Sequence, residues 1–318
     1  MFGKNFGYFF MVNLLILILS FIYLIMNPVN SPVAQPDQDL LKLRQKIERQ
    51  FEQTKGDFAL AFEDISDQGQ TIHINEREMF HAASTMKTPV MIEIFKQARE
   101  GKFSLKDSMV VKNDFKSIVD SSSFHLKIGN DGDEALYDYV GKKRSIHDLI
   151  YDMITYSSNL ATNILIQKVG AKNVTQTMRQ MGADSIKVLR GVQDLKAYRK
   201  GLNNRTSAYD LMVMFDKLAR RKAVSPEFDR EMIDILEDQH YNDIIPAELP
   251  GDVKVAHKTG WITGVHHDSG IVYLPGGRKY VLVILSKNVR NDNKAIQMMA
   301  DVSKEIYDFV SHESVNIK

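Results

Sequence analysis

A serine followed three residues later by a lysine can do acyl-transfer chemistry if a helix opens at the serine, and Ser84-Thr85-Met86-Lys87 has that form. The apolar residues Val90, Met91, Ile94 and Phe95 follow at helical spacing. This pattern predicts a helix beginning near Ser84, with Lys87 one turn later on the same face. Pro89 fits a first turn, whose N–H groups have no partner inside the helix. Such free N–H groups can hold an oxyanion, and the helix dipole favours an alkoxide. A lysine whose pKa is lowered by burial and by cationic neighbours can take the serine's proton. Taken alone, S-x-x-K is equally a capped surface helix with an exposed lysine.

Two later segments change the balance: Ser157-Ser158-Asn159 and Lys258-Thr259-Gly260. With the three pieces in this order, residues from about 40 to 312 resemble the penicillin-recognising serine hydrolases. The resemblance is closest to the class A β-lactamases, whose set reads S-x-x-K, S-D-N and K-T-G. It implies that Ser84 is the nucleophile and Lys87 its proton acceptor or electrostatic activator. Ser157 would relay a proton to the departing nitrogen, and Asn159 would hold both Lys87 and the amide of the substrate's side chain. Lys258 would supply a cation for the substrate carboxylate, Thr259 a hydroxyl, and Gly260 room for substrate against the strand. The backbone N–H of Trp261 would join that of Ser84 as the oxyanion hole. Asn163 matches a family asparagine that braces the active-site loop. No metal or cofactor is implied.

The departures from the family pattern carry information too. Ser158 stands where the family has aspartate, which implies a shifted hydrogen-bond network around an intact site. Class A enzymes also carry a loop glutamate that activates the deacylating water, and no glutamate lies between Glu134 and Glu227. The corresponding loop, Arg190-Gly191-Val192-Gln193-Asp194-Leu195, offers Gln193, which can position a water but cannot deprotonate it. Asp194 is read either as a base on a shorter side chain or as a structural partner of Arg190. Asn203 and Asn204 are candidate water-holding amides. The expectation is that acylation survives while deacylation is slow or differently arranged.

Around these residues the chain reads as α+β. Leu40, Leu41, Leu43, Ile47 and Phe51 mark an amphipathic helix. Phe58–Phe62 and Thr71–Ile74 read as strands joined by a turn at Asp67-Gln68-Gly69. The middle is helical. Ser145 resembles the start of a capping box, Gly170 and Gly182 look like helix ends, and Thr206 or Ser207 would cap a further helix. Three strands follow Pro250-Gly251, with a hairpin turn at Pro275-Gly276-Gly277, and a helix covers Lys294 to about Val310. This order predicts a two-lobed, β-lactamase/transpeptidase-like fold. One antiparallel sheet with its flanking terminal helices would form an α/β lobe (about 39–83 and 239–312), and an inserted all-α lobe would span about 84–238.

Forty-one basic and forty acidic residues leave a formal charge of +1, which gives no support for a polyanionic partner or nucleic acid. With no cysteine, disulfides, thiolate metal sites and a cysteine nucleophile are excluded. Residues Tyr8 to Met26 carry no charge and match a bilayer core in length, so residues 1–27 read as a signal peptide or a membrane anchor. Residues 28–38, with Pro28, Pro32 and Pro36, read as a linker. Export to the periplasm or another extracytoplasmic space follows, with or without tethering in the inner membrane, and the body is expected to be a monomer. The functional expectation is a serine hydrolase opening β-lactam rings through an acyl-enzyme on Ser84. Alternatives are a D-alanyl-D-alanine peptidase or related cell-wall amide hydrolase, and a membrane-tethered penicillin-binding sensor. Against the sensor, only Met1 to about Gly7 precede the apolar segment. His266-His267-Asp268 reads as structural because strand neighbours face opposite sides. Asn130-Asp131-Gly132-Asp133-Glu134 reads as a solvated turn, and Phe124 as cleft lining, core or exposed loop alike.

Overall fold

The computed structural model describes residues 38–65 and 69–316. The expected membrane segment, most of the linker and the Asp67-Gln68 part of the first turn lie outside the described residues. Among the described residues no helix is long and apolar enough to cross a membrane. The chain divides into two compact units, residues 1–41 and 42–318. Of the first, only Gln38–Leu41 is described, the opening turn of helix α1 (Gln38–Gln53).

The second unit is built on a five-stranded antiparallel sheet. Its strands are β1 (Asp57–Asp64), β2 (Thr71–Ile74), β3 (Lys254–Ile262), β4 (Val265–Tyr273) and β5 (Lys279–Lys287), in the order β2-β1-β5-β4-β3. N- and C-terminal segments therefore meet in one sheet, as the strand order in the sequence predicts. Ala61 pairs with Val283, and Ser269 with Lys258. The β4–β5 turn is closed by Leu274 N–H to Arg278 O, with Gly276 and Gly277 at φ 96° and 92°, a conformation that disfavours side chains with a Cβ.

Both faces of the sheet are covered, which explains why β1 and β5 are apolar at most positions rather than at alternate ones. Ala59, Ala61, Val281, Val283 and Leu285 belong to a core shared with the helices of the middle segment. On the opposite face, Phe58 stacks on Phe51 of α1 at 5.2 Å between ring centroids. Gln50 of α1 is hydrogen-bonded to Glu305 of the C-terminal helix.

The middle segment supplies α2 (Lys87–Arg99), α3 (Ile146–Thr155), α4 (Asn159–Val169), α5 (Ala171–Gln180), α6 (Leu195–Arg199), α7 (Ala208–Ala219) and α8 (Pro226–Glu237); α9 (Asp292–Asn316) closes the chain. Ser145, Ser158 and Ser207 each cap the following helix through the side-chain oxygen. Gly170 and Gly182 follow helix ends at φ 82° and 86°. Helix α2 is buried on nearly every side, so it is the central helix of the fold and not a surface helix with one apolar stripe.

Candidate active site

Ser84 lies in a single 3₁₀ turn, Ala83–Met86, that runs directly into α2. Ala83 is held at φ 45°, costly for a residue with a Cβ. Its N–H donates to His81 Nδ1 (3.0 Å), while Thr85 gives both its N–H and its hydroxyl to Ala82 O. These bonds fix the entry to the turn and leave Ser84 half-buried. His81 had no signal in the sequence beyond its nearness to Ser84.

Lys87, at the start of α2, is completely buried. Its ammonium nitrogen donates to Ser157 O (2.7 Å), lies 3.0 Å from Ser157 Oγ and 3.1 Å from Asn159 Oδ1. Burial first, and then the nearby Lys258 charge, push its pKa well below the ordinary lysine value, against an opposing pull from Asp131. A neutral amine satisfies all three neighbours: two N–H groups serve the carbonyl and amide oxygens, and the lone pair accepts from the Ser157 hydroxyl. Ser157 sits between α3 and α4 at φ 55°, a left-handed backbone that turns both its oxygens toward Lys87.

Strand β3 forms the sheet edge beside this turn. A Cβ at Gly260 would stand 3.2 Å from Ser84 N and 3.1 Å from Thr85 N. The glycine therefore lets the strand pass close to the Ser84 turn, a packing role in addition to the expected one of giving the substrate room. Lys258, two residues earlier on the same face, is fully buried and lends Nζ to Thr259 O (3.0 Å). Burial lowers its pKa to about 7, partly opposed by Asp268. Thr259 is half-buried and Trp261 is exposed.

Asn163 clamps the loop after residue 190: its Oδ1 accepts from Val192 N (2.6 Å) and its Nδ2 donates to Val192 O (3.1 Å). Gln193, at φ 59°, reaches Asn130 O through Nε2 (3.0 Å). Asp194 is buried with both carboxylate oxygens engaged, by the Ser117 hydroxyl (2.9 Å), Ile118 N (2.9 Å) and Ala197 N (3.1 Å). That geometry makes it an anchor for α6 and the 117–118 turn, where the sequence left open a base or a partner of Arg190. Arg190 instead donates to Leu202 O, Gly191 O and Asn203 Oδ1. Asn204 bonds the main chain of Leu189 and Arg190 with both ends of its amide. Of the two asparagines considered as water holders, Asn204 has both ends of its amide engaged in closing the loop, and Asn203 has its Oδ1 engaged there.

The 130–134 segment is no free solvated turn. Asp131 accepts from Asn159 N (2.7 Å), Leu160 N (2.9 Å) and the Tyr137 hydroxyl (2.9 Å), and Asn130 O accepts from Asn159 Nδ2 (3.1 Å) as well as from Gln193. The segment packs tightly, since a Cβ on Gly132 would collide with Tyr156 O. His267 donates its Nε2 proton to His81 O (2.8 Å) and accepts from Ser286 N at Nδ1 (3.2 Å), and Asp268 binds His257, so that trio is built into the sheet. Phe124 packs against Phe115 and the core.

A model described as the β-lactamase enzyme family matches residues 42–310. The chain belongs to the β-lactamase enzyme family. Relatives of this β-lactamase-family chain include β-lactamase 1 of Streptomyces cacaoi, 25% identical over 261 residues that cover 77% of this chain and 76% of that one. A mutant of PBP-A, solved as an acyl-enzyme complex with penicillin G, is 26% identical with a TM-score of 0.73, covering 86% of this chain and 97% of its own. The TLA-1 extended-spectrum β-lactamase superposes with a TM-score of 0.76 at 19% identity, over 85% of this chain and 99% of its own, and shows the shared fold.

Proposed function

We propose that the protein is a serine β-lactamase of the class A type, acylated on Ser84 and slow to release the acyl group. The observation that carries this reading is the buried Lys87 amine, held by Ser157 and Asn159 one turn from Ser84. Its lone pair exchanges the Ser157 hydroxyl for that of Ser84 and takes its proton. Ser84 Oγ then bonds to the lactam carbonyl carbon, and the oxyanion forms against the N–H groups of Ser84 and Trp261. As the ring C–N bond breaks, Ser157 gives its proton to the departing nitrogen and regains one from Lys87. Lys258 and Thr259 hold the substrate carboxylate, the entering side-chain amide displaces Asn130 O from Asn159, and no cofactor takes part.

Slow release follows from the loop. Gln193 is no base, and the Asp194 carboxylate is occupied by three donors. The same feature favours a second reading, a peptidase or amide hydrolase acting on acyl-D-alanyl cell-wall peptides, whose acyl-enzyme need not be released by a loop carboxylate. In either reading the body works as a monomer outside the cytoplasm, exported by residues 1–27 and tethered if they are retained. A tethered penicillin-binding sensor would share the acylation step alone.

Intact-protein mass spectrometry over time, with a penicillin and a cephalosporin, tests this directly. The expected result is a long-lived adduct on the protein and none on Ser84→Ala. Rapid drug consumption with no accumulating adduct would refute slow release, and no adduct with no drug loss would refute the β-lactam reading.

A further inference from the structure

We infer that Asp131, on a loop remote in sequence from all three motifs, supplies the carboxylate that the second motif lacks and acts as a positioning residue for Asn159 and Lys87. This inference rests on the acylation chemistry proposed above. Ser158 is buried and caps α4 only through Ala161 N (3.3 Å). The first two N–H groups of that helix, of Asn159 and Leu160, are taken by the two Asp131 oxygens, at 2.7 and 2.9 Å. Negative charge belongs at this end of a helix, and here it comes from outside the helix.

Two consequences reach the reacting atoms. First, Asn159 is held at its backbone by Asp131 and at its side chain by Asn130 O, so its Oδ1 is aimed at Lys87. Secondly, Asp131 and Lys258 are the charged groups that act on Lys87, with opposite sign. Asp131 moderates how far the Lys87 pKa falls and so preserves some basicity in the amine. The carboxylate is itself fixed by the Tyr137 hydroxyl on Oδ2 and by Asp133 N on Oδ1.

The experiment compares acylation of the full chain and of Asp131→Asn by one penicillin across pH, with circular dichroism melting as a folding control. Asp131→Asn keeps the shape but not the charge. It is expected to acylate roughly tenfold more slowly at neutral pH. The acid limb of its pH–rate profile should also move to lower pH, because Lys87 loses the charge that favours its protonated form. Adding Ser158→Asp returns a carboxylate to the same helix end and should restore both rate and limb. A wild-type rate in Asp131→Asn, or a slower rate with an unmoved limb, overturns the inference. If Asp131→Asn does not fold, the double variant decides: recovered fold and acylation support the inference, and a folded but unacylated double variant overturns it. Failure of the wild-type chain to acylate would instead refute the functional reading on which this rests.

Discussion

At the scale of single residues, the proposed mechanism gives the two buried lysines tasks that require opposite protonation states. Lys87 must be neutral to accept a proton, and burial together with the Lys258 charge drives it that way. Lys258 must be charged to hold a carboxylate, yet burial lowers it to about 7. In the free enzyme its cation is therefore present below about pH 7 and lost above it. The predicted consequence is a kcat/KM, or acylation rate constant per molar, that falls on the alkaline side with a midpoint near that value, since this quantity reports free-enzyme groups. An anionic penicillin should show the limb, and the same penicillin with its carboxylate esterified should not. Lys258→Arg keeps the charge at all accessible pH and should abolish the limb even if the altered shape lowers the plateau. A limb that persists in Lys258→Arg would assign it to another group.

At the scale of elements, the loop from Arg190 to Asn204 is held by contacts that leave it little freedom. Asn163 clamps Val192 from α4, Arg190 and Asn204 tie the two ends together, and Asp194 locks α6 to the 117–118 turn. Asn163→Ala removes two part-buried bonds and leaves the Val192 N–H without its acceptor. The expected cost is about 1–3 kcal/mol of stability, read as a lowered Tm. Adduct lifetime should change as well, because Gln193 adjoins the freed residue, whereas an unchanged lifetime would place the loop outside the deacylation step. The strands, the β4–β5 hairpin and the capped helices were legible in the sequence because their causes are local: turn glycines, capping serines and short-range apolar spacing. The loop's anchors were not, because Asp194 meets Ser117 across 77 residues and Asp131 meets Asn159 across 28. Nothing in the spacing of either aspartate distinguishes an anchor from a solvated side chain. The candidate nucleophile, base and cation were readable only as a set, through the order of three short segments. Gly260 was singled out, but its reason, the approach of β3 to the Ser84 turn, needed the packing.

At the scale of the whole molecule, placing two lysines in a dry interior works against the folded state. Both have folded-state pKa values below their unfolded ones, so near pH 8–10 the unfolded chain binds protons that the folded chain does not. Stability then rises with pH wherever the unfolded state holds more protons. Below about 7 the full cost of burying a charged Lys258 is present. It is relieved progressively as pH climbs toward the ordinary lysine value, by on the order of 5 kcal/mol. The opposite drift sets in above about pH 10, where Tyr273 and Tyr280 stay protonated in the fold because burial raises their pKa while the unfolded chain releases those protons. The expected Tm curve therefore climbs from pH 7, peaks near about pH 10 and then declines. Lys258→Met replaces the cost with apolar packing, so it should raise Tm at pH 7 and flatten the climb while weakening capture of anionic substrates. A lower Tm for this variant at neutral pH would mean that the ammonium finds compensation in the fold beyond Thr259 O. Stability and activity would then no longer oppose one another at this residue, and the low pKa would need another cause than an uncompensated buried charge.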